Sequence, residues 1–332
     1  MCLVHRQSKK HMQQADSAVT ICITPRERFS CAVDSLHDIA TNTATTFELV
    51  YIDANSPQVI AAQLKDICAQ HGFTYLRIQE YLPPNKARNT ALARVKTPYV
   101  VFIDNDLFVQ SGWLEALLNC AQETGAWAVG PVVLEGTGFP QIIHMAGGDL
   151  DEEKCGDYNC ISQQHRYTKQ PLSRLRSKLV REPVGCFEFH CVLVRTDVFP
   201  QTLFLDEKFL SHQEHLDLAR DIRMAGGEVY FEPASIVRYN NARRFQDYDR
   251  EFFELRWGRE WTEKSLEHMR EKWNLDPADP WFERLAGWTG QHRLLYERSH
   301  KSWVLQVLPL VVKRSIGTWL REHQLLPTKS AH

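Results

Sequence analysis

Two aspartates separated by one residue, Asp104 and Asp106, are the side chains whose type and spacing best suit chemistry. The apolar run before them, 99–103, is typical of a strand buried on both faces. Such a strand does not carry carboxylates through its interior, so both must lie at or beyond its carboxyl end, where open α/β sheets bind ligands. Roughly 6.6 Å apart at Cα, they could hold a hard divalent cation and its waters.

The surrounding elements decide whether this short motif is more than a polar turn that caps a helix. Predicted strands lie at 19–24, 47–52 and 74–78, and predicted helices at 30–41, 58–71 and 85–95. This alternation predicts a parallel sheet wrapped by helices, which favours the metal-site interpretation. Neither a Gly-x-Gly-x-x-Gly segment nor a Gly-Lys-Ser/Thr loop follows the first strand, which excludes those two kinds of nucleotide site.

Composition narrows the class of protein further. The chain has 332 residues, 43% hydrophobic and 24% charged, with a formal net charge of −2, so no overall basic field argues for nucleic acid as a partner. Residues 1–18 are polar and basic, and we expect a flexible tail rather than a signal peptide or membrane span. The nine cysteines, including the pairs Cys155/Cys160 and Cys186/Cys191, are scattered, which favours reduced thiols in a cytoplasmic protein.

The order of these features resembles the family 2 glycosyltransferases, over about residues 19–241. The matching segments are Pro25 after the first strand, Asp-Ala-Asn-Ser at 53–56, Lys-Ala-Arg-Asn at 86–89, Asp-Asn-Asp at 104–106, and the downstream series at 213–220 and 225–233. The resemblance implies an α/β fold of the GT-A, Rossmann-like type. Its mixed, mostly parallel sheet would be flanked by helices, with a helical extension at the C-terminus.

The resemblance also implies an activity, which is inverting transfer of a hexose from a nucleotide-diphosphate sugar. A UDP-sugar is the first choice of donor, and the acceptor would be a hydroxyl of a glycan or lipid-linked saccharide, as in polysaccharide biosynthesis. The implied donor-binding residues are Pro25, Asp53, Arg88, Asn89, Asp104 and Asn105. Asp106, with Asp104, would ligate Mn²⁺ or Mg²⁺.

The catalytic base is where the sequence departs from the family pattern. The family usually deprotonates the acceptor with the Asp of a Glu-Asp pair, and this chain has His215 at that position. Imidazole accepts a proton near neutral pH, which makes His215 the first choice, with Glu214 and Asp217 as the carboxylate alternatives. A second departure is Tyr239, which stands where the family often supplies a metal-binding His and predicts weaker metal affinity.

Three segments between the aspartates and this turn carry further expectations. Residues 130–148 are expected to form a strand and loop over the sugar site, with His144 in the donor pocket. Residues 151–181 are polar and poorly patterned, which predicts a long irregular insert that is functional or mobile. A strand is predicted at 184–194, with Glu188 and His190 on one face, either towards the acceptor or as a satisfied buried pair.

The C-terminal part changes character, which divides the chain into a tail at 1–18, a GT-A domain at 19–242 and a helical extension at 243–332. Within the extension, 302–320 is apolar but interrupted by Pro309 and too charged to span a bilayer. We expect a core or dimer helix there, or a segment that rests on the inner face of the membrane as a peripheral contact.

Two alternatives to glycosyl transfer remain open at this point. A nucleotidyltransferase also pairs an α/β sheet with aspartates, but it should carry a Gly-rich loop after the first strand, where this chain has Arg-Glu-Arg at 26–28. A catalytically inactive sugar-binding or scaffolding subunit is the other alternative. His215 and Tyr239, which depart from the family pattern, are the reason to keep it.

Overall fold

The computed structural model describes residues 17–199, 204–241 and 244–300. The strands are β1 (Val19–Thr24), β2 (Glu48–Ala54), β3 (Thr74–Ile78), β4 (Tyr99–Asp104), β5 (Leu107–Val109), β6 (Ala128–Glu135), β7 (Ile142–Ala146), β8 (Gly148–Cys155), β9 (Tyr158–His165), β10 (Glu182–Pro183), β11 (Cys191–Arg195) and β12 (Val229–Tyr239). The helices are α1 (Ala32–Asn42), α2 (Gln58–His71), α3 (Pro84–Leu92), α4 (Trp113–Thr124), α5 (Leu172–Leu175), α6 (Glu214–Met224), α7 (Arg250–Arg256), α8 (Arg259–Trp273), α9 (Pro280–His292) and α10 (Leu295–His300).

A ten-stranded mixed sheet organises the molecule, in the order β10-β12-β6-β11-β4-β1-β2-β3, with β5 on β12 and β7 on β6. The run β4-β1-β2-β3 is parallel throughout. Strand β11 is antiparallel to both of its neighbours, β4 and β6. The predicted α/β fold, a mixed sheet flanked by helices, is confirmed. Because β1, β2 and β4 are parallel, their carboxyl ends meet at one edge and bring together the loops that follow them.

Apolar side chains cover both faces of the sheet, as the unbroken apolar runs predict. In β1, Ile21 and Ile23 belong to the cluster formed with α1, α2 and α4, whereas Cys22 belongs to the cluster on the opposite face with α3, α6, α8 and α9. Successive residues of a strand point to opposite faces, so one short strand holds both layers together. The polar groups of the site are therefore confined to the strand ends.

Two elements differ from the sequence-based expectation. The predicted irregular insert at 151–181 is wrong over its first half, because residues 151–165 belong to the antiparallel hairpin β8–β9, in which Gly148 pairs with His165. The predicted strand at 184–194 is also wrong in extent, since only Cys191–Arg195 is a strand. The chain before it runs along the hairpin, with the Gly185 N–H donating to the Gly148 carbonyl oxygen at 2.8 Å. The hairpin is largely exposed, which explains its polar sequence.

The hairpin also corrects the expectation of reduced thiols throughout. Cys155 and Cys160 form a disulfide, with Cα atoms 5.9 Å apart. Antiparallel pairing places these two residues diagonally across the turn, since Cys155 pairs with Tyr158 and Cys160 pairs with Glu153. The other sequence pair, Cys186 and Cys191, consists of buried thiols as expected.

The helices after residue 243 confirm that the region up to residue 300 is helical. They are tied to the sheet domain by buried polar contacts, such as Ser30 Oγ donating to Asp249 at 2.7 Å and Trp273 Nε1 donating to Asp217 at 3.0 Å. The boundaries at 18 and 242 stay predictions, and the 302–320 segment lies outside the described residues. In the part of the chain that is described, no helix combines the length and apolarity needed to cross a membrane.

Candidate active site

The loop after β1 lies against the aspartate turn. Thr24 pairs with Asp104 at the carboxyl ends of β1 and β4. Asn105 then fixes the loop, since its side-chain oxygen accepts from the Arg26 N–H at 3.1 Å and its amide donates to the Arg28 carbonyl at 3.3 Å. Asn105, predicted to bind the donor, therefore positions the Arg-Glu-Arg segment beside the two carboxylates.

Asp104 is buried and surrounded by cationic or imidazole groups. Its carboxylate lies 3.1 Å from Arg26 Nη1, 3.2 Å from His190 Nδ1 and 3.7 Å from Arg88 Nη2. Burial by itself raises the pKa of this carboxyl, but Arg26, His190 and Arg88 together outweigh it and hold the pKa below its ordinary value. Asp104 is thus an anion whose oxygens already have partners.

Asp106 is different, although it is only two residues away. Its side chain is fully buried, and neither carboxylate oxygen has a hydrogen-bond partner among the described residues. Burial, and then the charge of Asp104, raise the pKa of Asp106 to about 8. A buried carboxylate without partners is costly unless it takes up a proton or a cation. Because Mn²⁺ and Mg²⁺ prefer oxygen ligands, the buried carboxylate of Asp106 is a suitable ligand for either ion.

Tyr239 lies beside the aspartate turn, since it pairs with Leu107 of β5 and the following Asn240 N–H donates to the backbone carbonyl oxygen of Asp106 at 3.4 Å. The Tyr239 hydroxyl donates to Glu27 Oε1 at 2.7 Å, and Trp257 Nε1 donates to Glu27 Oε2 at 2.6 Å. Burial raises the pKa of Glu27, but the neighbouring His292 and two arginines outweigh burial and hold it well below its ordinary value. Glu27 therefore links the loop after β1 to β12 and to the turn between α7 and α8. The Tyr239 hydroxyl is engaged in this hydrogen bond.

We expect Glu27→Ala to lower the free energy of unfolding by about 3–5 kcal/mol, because two buried donors and nearby buried arginines would lose their acceptor. Chemical denaturation of the full chain measures the loss. Glu260→Ala is the matched control, since Glu260 is an exposed residue of α8, and its stability should stay close to wild type. Equal stability of the two variants would contradict the role of Glu27.

The other predicted donor residues are not equally placed. Pro25 is buried at the end of β1. Asp53 is buried near the carboxyl end of β2 and accepts from the Ser56 N–H at 2.9 Å and from Tyr75 and Arg77, both at 2.5 Å. Asp53 thus lies at the correct edge of the sheet, already within a hydrogen-bond network.

Arg88 and Asn89 are neighbours in α3 with different surroundings. Arg88 is buried between Asp104 and Glu214, which is 3.4 Å away. Asn89 donates to the Leu205 carbonyl at 2.8 Å and to Glu207 at 2.9 Å. Arg88 therefore joins the aspartate turn to the predicted base turn, whereas Asn89 anchors the segment before α6, and a donor contact for Asn89 stays a prediction.

The three candidate bases share one turn at the start of α6 but differ in their contacts. Glu214 pairs with Arg88 and with Arg256, at 3.4 and 3.7 Å. Asp217 accepts from Lys272 at 2.7 Å and from the Trp273 indole. Both carboxylates are therefore occupied by partners that hold the fold together.

His215 is half-buried, and its Nε2 lies 3.4 Å from the side-chain nitrogen of Gln163. Burial lowers the pKa of His215, so the imidazole is neutral at pH 7 and can accept a proton. Of the three candidate bases, His215 has the fewest contacts that hold the fold together, since Glu214 and Asp217 are both in ion pairs.

The β8–β9 hairpin contributes residues that the sequence analysis missed. Gln163 and His165 project from β9 with their side-chain nitrogens 3.2 Å apart, and His165 Nε2 lies 3.2 Å from Glu188. Their spacing of two residues on one strand face was the available signal. Arg26 and Glu27 were also missed as site residues, although two opposite charges directly after a buried strand pointed to the same edge.

A mixed α/β sheet with an Asp-x-Asp turn at its carboxyl edge defines the class as the GT-A glycosyltransferase fold. The chain belongs to glycosyl transferase family 2, whose family model matches residues 20–201. In the solved structure of GalNAc-T7 with UDP, GalNAc and Mn²⁺, the same fold covers 85% of this chain and 54% of that one, with a TM-score of 0.53 and 15% identity.

Two curated relatives are similar over part of their length. The pre-mycofactocin glycosyltransferase of Mycobacterium tuberculosis is 24% identical over 166 residues, which are 50% of this chain and 32% of the relative. The putative inactive polypeptide N-acetylgalactosaminyltransferase 12 of Drosophila melanogaster is 24% identical over 215 residues, 60% of this chain and 35% of the relative. The chain thus spans about a third of the length of each of these relatives.

Proposed function

We propose that the protein is a glycosyltransferase of the hexosyl type that uses a nucleotide-diphosphate sugar, with a UDP-sugar as first choice, and a divalent cation. The acceptor would be a hydroxyl of a glycan or lipid-linked saccharide. The observation that carries the proposal is the buried carboxylate of Asp106 at the ligand-binding edge of the sheet, which has no hydrogen-bond partner in the part of the chain that the structure describes. Membership of glycosyl transferase family 2 supports sugar transfer over nucleotidyl transfer.

Asp106 would hold the Mn²⁺ or Mg²⁺ ion on the donor side. When bound, such a cation neutralises the charge that develops on a leaving diphosphate. Asp104 would hold Arg26 beside the diphosphate through their 3.1 Å ion pair, rather than share the metal equally with Asp106. Asp53, buried at the next strand end, would contact the base or ribose of the nucleotide.

His215 would act as the general base on the acceptor side. Its neutral imidazole would remove the acceptor proton as the hydroxyl attacks the anomeric carbon opposite the leaving group, which inverts that carbon. Glu214 and Asp217 remain the alternatives, although their ion pairs favour a structural role. The anomeric configuration of the product, read by NMR, tests this step, since retention would rule out a single displacement assisted by His215.

The helical region would complete the active site rather than form a separate unit. Arg256, the last residue of α7, contacts Glu214. Trp257, in the turn that follows, donates a hydrogen bond to Glu27. We therefore propose that the domain at 19–242 depends on the helices that follow for a stable site. Contact with an anionic membrane or a second copy through 302–320 is the accompanying proposal for how a lipid-linked acceptor would be reached.

A catalytically inactive sugar-binding subunit is the second candidate. It is favoured by Tyr239, whose hydroxyl is bonded to Glu27 where the family often has a metal-binding His. The Drosophila relative also carries the description putative inactive. An inactive subunit would bind a nucleotide sugar without releasing its nucleotide, and the two functions are separable by experiment.

A panel of nucleotide sugars, screened by thermal unfolding with and without Mn²⁺, tests the proposal. A ligand that binds only the native state raises the melting temperature by mass action, with about 2.7 kcal/mol of added stability at a hundred times its Kd. We expect at least one donor to raise the melting temperature, and to do so more strongly with Mn²⁺. If none of the donors shifts the melting temperature under either condition, the nucleotide-sugar proposal is wrong.

A further inference from the structure

Three side chains beside Asp104 form a cluster that the proposed transfer reaction does not use. They are His144 on β7, and Glu188 and His190 in the segment before β11, and one potential ligand atom from each lies within 4.8 Å of the others. His190 is only 1% exposed, and its Nε2 lies 3.8 Å from Glu188 Oε2. The buried Nε2 of His144 has no hydrogen-bond partner in the described ranges.

Each of the three groups also has a neighbour outside the cluster, which for the two histidines is a carboxylate at ion-pair distance without hydrogen-bond geometry. His144 Nδ1 lies 3.6 Å from Glu135, and His190 Nδ1 lies 3.2 Å from Asp104. Metal-binding histidines usually direct their second ring nitrogen to a carboxylate, which fixes the tautomer and orients the ring. His165 holds Glu188 Oε1 at 3.2 Å, which leaves Glu188 Oε2 on the side of His190.

Two imidazoles and one carboxylate are the protein ligands of several catalytic zinc sites, in which a water or substrate oxygen fills the remaining position. This set differs from the oxygen-only environment expected for Mn²⁺ at Asp106. The His144 and Glu188 side chains are 24% and 13% exposed, so an ion can reach them.

We infer that His144, Glu188 and His190 form a second metal site, distinct from Asp106, that binds one transition-metal ion of the Zn²⁺ type with an open coordination position. Asp104 then serves the outer shell of this site through His190. The inference does not depend on glycosyl transfer, because it concerns binding of the metal alone. Its failure would leave the proposed function untouched.

Titration of the metal-stripped full chain with Co²⁺, a visible-absorbing substitute for Zn²⁺, tests the inference. We expect one equivalent to bind with the strong visible bands of four- or five-coordinate cobalt, and Zn²⁺ to displace it. His144→Gln and Glu188→Gln should each weaken binding at least tenfold and remove those bands. His71→Gln, which changes an exposed histidine of α2, should bind Co²⁺ like wild type.

Two further variants separate the sites and test the outer shell. Asp106→Asn should retain the Co²⁺ bands while losing the Mn²⁺-dependent increase in nucleotide affinity. Glu135→Gln should weaken Co²⁺ binding by about 10–100-fold, as loss of an outer-shell partner typically does. Circular dichroism confirms that each variant is folded. The inference is overturned if wild type shows no such bands, if His144→Gln and Glu188→Gln keep them, or if Asp106→Asn removes them.

Discussion

Replacing Asp106 by alanine should abolish detectable sugar transfer. A cation that stabilises the leaving diphosphate by several kcal/mol accounts for about a thousandfold in rate, and Asp106 is the carboxylate that we propose to hold it. Calorimetric titration of the donor's nucleoside diphosphate should show Mn²⁺-dependent affinity in wild type and the same weak affinity with or without Mn²⁺ in the variant. The variant should fold, because neither oxygen of Asp106 bonds to a described residue.

Asp66→Ala is the control for that experiment, since Asp66 is an exposed carboxylate on α2. It should keep both turnover and the Mn²⁺ response. Full activity of Asp106→Ala, or wild-type activity that does not change in excess chelator, would contradict the assignment of the metal to Asp106.

His215→Ala should lose turnover by a factor of about 10² to 10⁴, the usual contribution of a general base. Nucleotide binding should remain near normal, because the His215 side chain contacts Gln163 of the β8–β9 hairpin rather than the aspartate turn. Burial lowers the pKa of His215 below its ordinary value, so wild-type rates should fall only as the pH drops through that lowered pKa. The variant should lack this acidic limb in its pH–rate profile.

Glu214→Gln and Asp217→Asn distinguish a base from a structural carboxylate. Because Glu214 pairs with two arginines and Asp217 with Lys272 and Trp273, we expect both variants to lose thermal stability, whereas His215→Ala should not. If a carboxylate variant is inactive yet as stable as wild type, and His215→Ala keeps most of its turnover, the proton goes to that carboxylate.

The sequence was sufficient to predict the sheet centre and the position of the aspartate turn. Strands β1 and β4 are buried on both faces, so neither carries a charged residue before the point where polar chemistry begins. The β8–β9 hairpin was not predictable in this way. Most residues of this ribbon are at least partly exposed, so alternation of apolar and polar residues is weak, and it is also bonded to Gly185, further along the chain.

The sequence could not separate the roles of Asp104 and Asp106. The difference lies in contacts from distant segments, because Arg26, Arg88 and His190 all converge on Asp104 and leave Asp106 unpartnered. Local spacing contains no information about which carboxylate those groups reach.

The choice of base was limited in the same way. Arg256, Lys272 and Trp273 lie beyond the segment that resembles the family, and their contacts with Glu214 and Asp217 are visible only once the helices pack on α6.

Metal-dependent transfer from a nucleotide sugar is tested by measuring release of nucleoside diphosphate from the donor that the thermal screen identifies. We expect release with Mn²⁺, loss of release in excess chelator, and recovery when Mn²⁺ is restored. Release that continues unchanged in chelator would contradict the metal-dependent reaction. A donor that binds with Mn²⁺ but is never turned over, with water or with any glycan or lipid-linked acceptor supplied, would contradict catalysis and leave a sugar-binding subunit.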